Sequence, residues 1–174
     1  NGLLQEIFIE RPHSKGHVGD IYLGKIVRVM PGMEAAFVDI GLERAAFIHS
    51  ADIAPIDPNG FEVRADPPPP IQNLVREGQM IVVQVAKDPI STKGARLTTH
   101  LTLPSRHLVY LPRSPHMGIS QRLEDEEERA RLLKALDECI ALEEMEGRGG
   151  FIIRTAAEGC SAEDFIEDIR FLKK

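Results

Sequence analysis

The stretch Gly32–His49, GMEAAFVDIGLERAAFIH, holds two phenylalanines ten residues apart, each preceded by a pair of alanines. Side chains of a strand alternate between its two faces. In EAAFVDIG, Ala36, Val38 and Ile40 therefore make a clean apolar face, and Phe37 lies opposite with Ala35 and Asp39. In AAFIHS, Phe47 shares a face with Ala45 and His49, opposite Ala46 and Ile48. Both aromatics fall on the face that carries polar residues. Alternation leaves two readings open. Either the rings form an outer platform on which flat groups stack, or that face packs against a neighbouring domain.

Further strands flank this stretch. LLQEIFIE (residues 3–10) alternates apolar and polar, and DIYLGKIVRVM leads into the quoted segment. A loop over residues 51–77 contains PPPP and half of the 12 prolines of the chain, so it is not the interior of a regular element. QMIVVQVAKDPI and ARLTTHLTL follow, and in the latter Arg96, Thr98 and His100 oppose Leu97, Thr99 and Leu101. Five strands between Asp20 and Leu103, with glycines at the turns, predict a small closed barrel. An outer face with two aromatics, a histidine and basic neighbours is suited to stacking the bases of a single-stranded nucleic acid.

Beyond residue 103 the pattern mixes helix and strand. HLVYLP is a short strand. Residues 123–145 read as a helix with Leu133, Leu136 and Ile140 in one stripe, and the acidic run Glu124–Glu128 suits the positive end of its dipole. That run is a solvated helix start, a metal site only in appearance. GGFIIRT reads as a strand. SAEDFIEDIRFLKK opens with a capping box, Ser161 and Asp164, and puts Phe165, Ile169 and Leu172 on one face.

Bulk properties narrow the function. The 174 residues are 43% hydrophobic and carry a net charge of −6, so a polyanion is met at a local site and not by a uniformly basic surface. The charge barely separates the parts: residues 1–103 carry 10 basic and 12 acidic side chains, and residues 104–174 carry 11 and 15. No apolar run approaches the roughly 20 residues of a membrane helix. The chain opens without methionine, which reads as a fragment or a trimmed chain. Cys139 and Cys160 lack a CxxC spacing and read as reduced thiols of a cytoplasmic protein.

Three separated blocks carry a resemblance. GDIYLGKIVRVMPGMEAAFVDIGLERAAFIH resembles the S1-type RNA-binding domain of the ribonuclease E/G family. VAKDPISTKGARLTTHLTLPSR and GGFIIRTAAEG are similar to two further blocks of that family, in the same order, with wording nearer its G-type than its E-type members. The resemblance implies a mainly β fold with an α/β part. Residues 1–18 would be a partial ribonuclease-H-like segment. Residues 19–103 would be an S1 RNA-binding domain, an OB-fold barrel of five strands, and residues 104–174 a partial 5′-sensor domain. It also implies a single-strand-selective endoribonuclease of ribosomal RNA maturation and messenger decay. Such an enzyme uses Mg²⁺ on two aspartates and a Cys-held zinc link between protomers of a homo-oligomer. Both metal sites are expected outside this chain, which is then inactive alone, with no catalytic or metal residues of its own.

The same resemblance assigns RNA contacts. Phe37 and Phe47 would stack bases, with Lys93 of TKGAR beside them. In the sensor, Arg154 and Thr155 would grip a 5′-monophosphate, Val109 would support the terminal base, and Ser105 would donate its backbone N–H where E-type members have glycine. Arg122 would add a cation, although Gln121 stands where E-type members have a second arginine. A guanidinium fork suits a phosphate that carries about −1.5 to −2 charges. The implied partner is single-stranded RNA with a 5′-monophosphate. The competing reading is a stand-alone S1 module of a translation or ribosome-associated protein.

Overall fold

The computed structural model describes residues 16–174, so the expected strand over residues 3–10 lies outside the described residues. Nine strands and three helices follow. The first five strands are β1 (Ile21–Met30), β2 (Ala35–Asp39), β3 (Ala46–His49), β4 (Met80–Lys87) and β5 (Arg96–Thr98). They close into a barrel of order β1-β2-β3-β5-β4, in which only β3 and β5 run parallel. This is the OB arrangement that the strand count and turn glycines predict. The face expected to point inward does so: Ile26, Ala36, Val38, Ala46, Ile48 and Leu97 are fully buried.

The proline-rich segment is better ordered than its composition suggests. After Pro70 the chain turns once as α1 (Ile71–Leu74), and Ile71 and Val75 enter the barrel core. The Glu34 carboxylate accepts the Ile71 N–H at 2.8 Å, which fixes the start of this turn against the start of β2.

The second unit is a sheet of order β6-β7-β9-β8: β6 (Leu103–Pro104), β7 (Leu108–Leu111), β9 (Gly150–Ile153) and β8 (Met117–Ile119), the last pair parallel. β6 and β8, two and three residues long, were too short to leave a periodic signal. One face is covered by α2 (Glu126–Leu142) and α3 (Ala162–Leu172), with Phe151, Ile153, Phe165 and Ile169 at the centre. The capping box at Ser161 and Asp164 forms as expected.

Two predictions need correction here. α2 is shorter than residues 123–145, because the Asp125 carboxylate caps the N–H groups of Glu127 and Glu128 and Glu144 turns to φ 55° after the last turn. Its inward stripe is Leu132, Leu136, Cys139 and Ile140, with Leu133 at the edge. The strand GGFIIRT stops at Ile153, where the Arg154 N–H turns to the His107 carbonyl at 2.8 Å and residues 155–157 coil into a 3-10 turn.

The two cores share no residue. Contacts between the units run through Arg113, whose carbonyl accepts the Glu62 N–H at 2.7 Å and whose Nη1 donates to the Thr99 carbonyl at 3.4 Å. Among the described residues no helix is long and apolar enough to cross a membrane.

Candidate nucleic-acid interface

The barrel aligns its outward side chains in one row. Phe37 pairs directly with Phe47 across β2 and β3. Phe37 also faces Arg28 on β1, and Phe47 faces Arg96 on β5, which faces Lys87 on β4. The sequence Arg28–Phe37–Phe47–Arg96–Lys87 thus runs around the barrel perpendicular to the strands. Both rings are half-buried. Neither packs ring to ring with another aromatic; among the described residues that geometry is confined to Tyr110 and Phe151. The Arg96 guanidinium is oriented by Asp52, which accepts Nε and Nη2 at 3.0 and 2.8 Å.

Arg28 and Lys87 were not singled out from sequence, for a physical reason. Simple alternation puts Arg28 on the face of Ile26, and Lys87 on that of Val85. A β-bulge lies between each pair, and the extra residue turns the cation outward. The effect is a positive rim on an acidic chain.

Lys93 is exposed on a tight turn closed by reciprocal backbone bonds between Ile90 and Lys93, at 2.9 and 3.1 Å. The Arg44 guanidinium ties the Ser91 carbonyl of this turn to the loop before β3. Gly94 explains the KGA spacing: a Cβ there would lie 2.0 Å from the Ala45 carbonyl oxygen. Glycine lets the turn lie against the start of β3, and one residue later the Ala95 carbonyl accepts the Phe47 N–H at 2.9 Å. Lys93 therefore stands two residues before the backbone partner of Phe47.

A second cluster forms where parallel strands β8 and β9 end together. The Ser120 N–H donates to the Ile153 carbonyl at 2.8 Å, and its hydroxyl lies 3.0 Å from that of Thr155 and accepts the Arg122 N–H at 3.3 Å. Arg154 is exposed, and its Nη1 donates to the Ser105 carbonyl at 2.5 Å. Among the described residues the Arg122 guanidinium has no hydrogen-bond or ion-pair partner. Val109 pairs with Ile152 and Pro104 on the sheet face away from the helices, where it is half-buried. Ser105, Arg122, Arg154 and Thr155 thus gather at one end of the sheet together with Ser120, a residue for which sequence reasoning assigned no role. The Ser105 N–H is engaged within the chain, donating to the Leu108 carbonyl at 2.8 Å.

The loop after Thr155 is clipped to α2. Glu128 accepts Arg131 through both carboxylate oxygens at 2.7 Å and the Gly159 N–H at 2.8 Å. The Arg131 bond, reinforced by Gly159, pulls the Glu128 carboxyl down to about 2. A lowered carboxyl favours the folded state above its unfolded value near 4.5, and that contribution is lost as pH falls toward 2. Amide-exchange protection of Gly159 should therefore decline between those pH values, and Glu128→Gln should remove this pH dependence. Unchanged pH dependence in the variant would assign it to another group.

An OB barrel with a cation-flanked aromatic pair, joined to a sheet that gathers arginines and hydroxyls at one end of its strands, defines a chain with two anion-suited surfaces. A sequence profile described as "Ribonuclease E/G family" matches residues 102–174. Ribonuclease G of Haemophilus influenzae is 56% identical over 99% of this chain and 35% of its own length. Ribonuclease G of Salmonella typhimurium is 53% identical over the same shares. Ribonuclease E of Escherichia coli (strain K12) is 40% identical over 98% of this chain and 16% of its own length. The chain belongs to the ribonuclease E/G family, and it spans about a third of the length of the ribonuclease G relatives it matches.

Proposed function

We propose that these residues are the RNA-holding and end-sensing part of a single-strand-selective endoribonuclease, acting in the cytoplasm on ribosomal and messenger RNA. Residues 19–103 hold the strand. Phe37 and Phe47 stack bases, and Lys93, with the bulge-turned Arg28 and Lys87, meets the phosphates. Residues 104–174 read the 5′ end. Arg154 and Thr155 take a monophosphate, Arg122 adds charge, Val109 supports the first base, and Ser105 orients Arg154 through its carbonyl. Family membership supports Mg²⁺ for the whole enzyme and a zinc-linked homo-oligomer. Among the described residues no three His, Cys, Asp or Glu side chains converge as metal ligands. The role proposed for this chain is to bind and orient RNA.

The observation that carries the reading is the pairing of Arg154 and Thr155 at an end of the sheet that a strand-binding barrel does not need. A fork and a hydroxyl side by side suit a terminal phosphate, and a 5′-hydroxyl offers neither charge nor acceptors comparable to it. The chain should bind a 5′-monophosphorylated RNA more tightly than its 5′-hydroxyl twin at low salt. Arg154→Ala should erase the difference, worth about 1.5–3 kcal/mol for a complete charge-assisted bond. Arg154→Lys should restore part of it. Equal weakening on both RNAs would make Arg154 an ordinary backbone contact and return the barrel to the stand-alone module reading.

A further inference from the structure

Asp168 is a buried acid on α3 that the proposed RNA contacts leave without a role, and it sits directly beneath them. Its Oδ2 accepts three donors from one turn: the Ser105 hydroxyl at 2.7 Å, the His107 N–H at 2.6 Å and the Leu108 N–H at 3.2 Å. Its Oδ1 lies 3.5 Å from His107 Nδ1, a buried atom that makes no hydrogen bond. Three donors of the turn between β6 and β7 are therefore aimed inward at a single carboxylate, while the Ser105 N–H closes the turn on the Leu108 carbonyl. Two of the turn's acceptors aim outward, both at Arg154: the Ser105 carbonyl takes Nη1 and the His107 carbonyl takes the backbone N–H.

We propose that Asp168 is the positioning residue of the phosphate-reading end of the sheet, holding the Ser105–Leu108 turn so that Arg154 presents a fixed guanidinium. This rests on the end-sensing role proposed above. A free arginine loses considerable rotamer freedom when it binds, and a fork fixed beforehand binds at lower cost. Nη1 is the tethered nitrogen, while Nε and Nη2 have no partner among the described residues and remain to donate to a ligand. Finally, an acid this close to an anion site would repel the anion if its charge were uncompensated, and here three donors compensate it. The hydroxyl of Ser105 gains a purpose in this scheme. It supplies one of the three donors, which a glycine at the same place would not.

The test uses the 174-residue chain with two readouts. The first is ¹⁵N relaxation of the Arg154 side-chain Nε–Hε group without RNA. The second is the ratio of dissociation constants for 5′-hydroxyl and 5′-monophosphate forms of one unstructured RNA. Asp168→Ala should mobilise the Arg154 side chain and reduce the ratio roughly tenfold, the size typical when the support of a ligand-binding group is removed. Affinity for the 5′-hydroxyl RNA, which depends on the barrel, should not change. Asp168→Asn keeps the shape and one acceptor oxygen and should recover part of both readouts. Ser105→Ala removes one donor with little change in packing and should loosen Arg154 less, which keeps the test decisive if the alanine variant at 168 does not fold. An Arg154 side chain as ordered in Asp168→Asn and Ser105→Ala as in the parent chain would overturn the proposal. If the parent chain shows no preference between the RNAs while Arg154 order still depends on Asp168, the positioning role stands and the phosphate-reading role falls.

Discussion

Replacing Phe37 or Phe47 with alanine should weaken binding of an unstructured RNA by about 1–3 kcal/mol each, since that is the range for one stacked base. The two positions are direct cross-strand neighbours, and neither ring is spent on another aromatic. The paired variant should approach the sum of the singles if each ring takes its own base, and fall short of it if one base bridges both. The cost to stability should be small, because the rings are half-buried while the core behind them is built from Ala36, Val38, Ala46 and Ile48. Titration of a labelled oligonucleotide and denaturant melts of the same samples separate the two effects. A loss of about 3 kcal/mol or more of folding free energy would class the rings as core.

Phe165→Ala should produce the largest change in stability, about 3–5 kcal/mol. Phe165 is fully buried on α3 among Phe151, Ile153 and Ile169. The two cores have no member in common, so the loss should fall on residues 104–174 alone. Thermal unfolding should then split, with an early transition of the sheet-and-helix unit and a later one of the barrel. At a temperature between the two, 5′-phosphate preference should vanish while strand binding persists. The hydrogen bonds of Arg113 to Glu62 and Thr99 are the route by which one unit could steady the other. One undivided transition, shifted as a whole, would mean that those few bonds suffice to make the units cooperative.

The barrel was legible because period-two alternation is strong where one face is buried. Ala36, Val38, Ile40, Ala46 and Ile48 could be assigned inward from the letters alone, and the outward placement of Phe37 and Phe47 followed. What alternation hides is any place where its count slips, and the bulges before Arg28 and Lys87 are such places. The second unit was legible in its helices, whose caps and stripes are local, and less so in its sheet, whose two shortest strands exist only through pairing. Asp168 was invisible for a related reason: an acid within a helix reads as solvated until the turn it holds, some 60 residues earlier in the chain, is brought to it.

Those bulges also mean that the positive rim of the barrel is stored in reading register and not only in composition. Straightening β1 with Val27 still in place would leave every charged letter unchanged, yet it would restore strict alternation and swing Arg28 toward the interior beside Ile26, whereas deleting Val27 would take out the extra residue and leave Arg28 opposite Phe37. The same holds for Ala86 and Lys87. Lineages of this barrel should therefore tolerate the loss of the extra residue at Val27 or Ala86 more readily than the loss or gain of one residue elsewhere in β1 and β4. Pairwise comparison of related barrels should be judged first on whether these two insertions are kept in step.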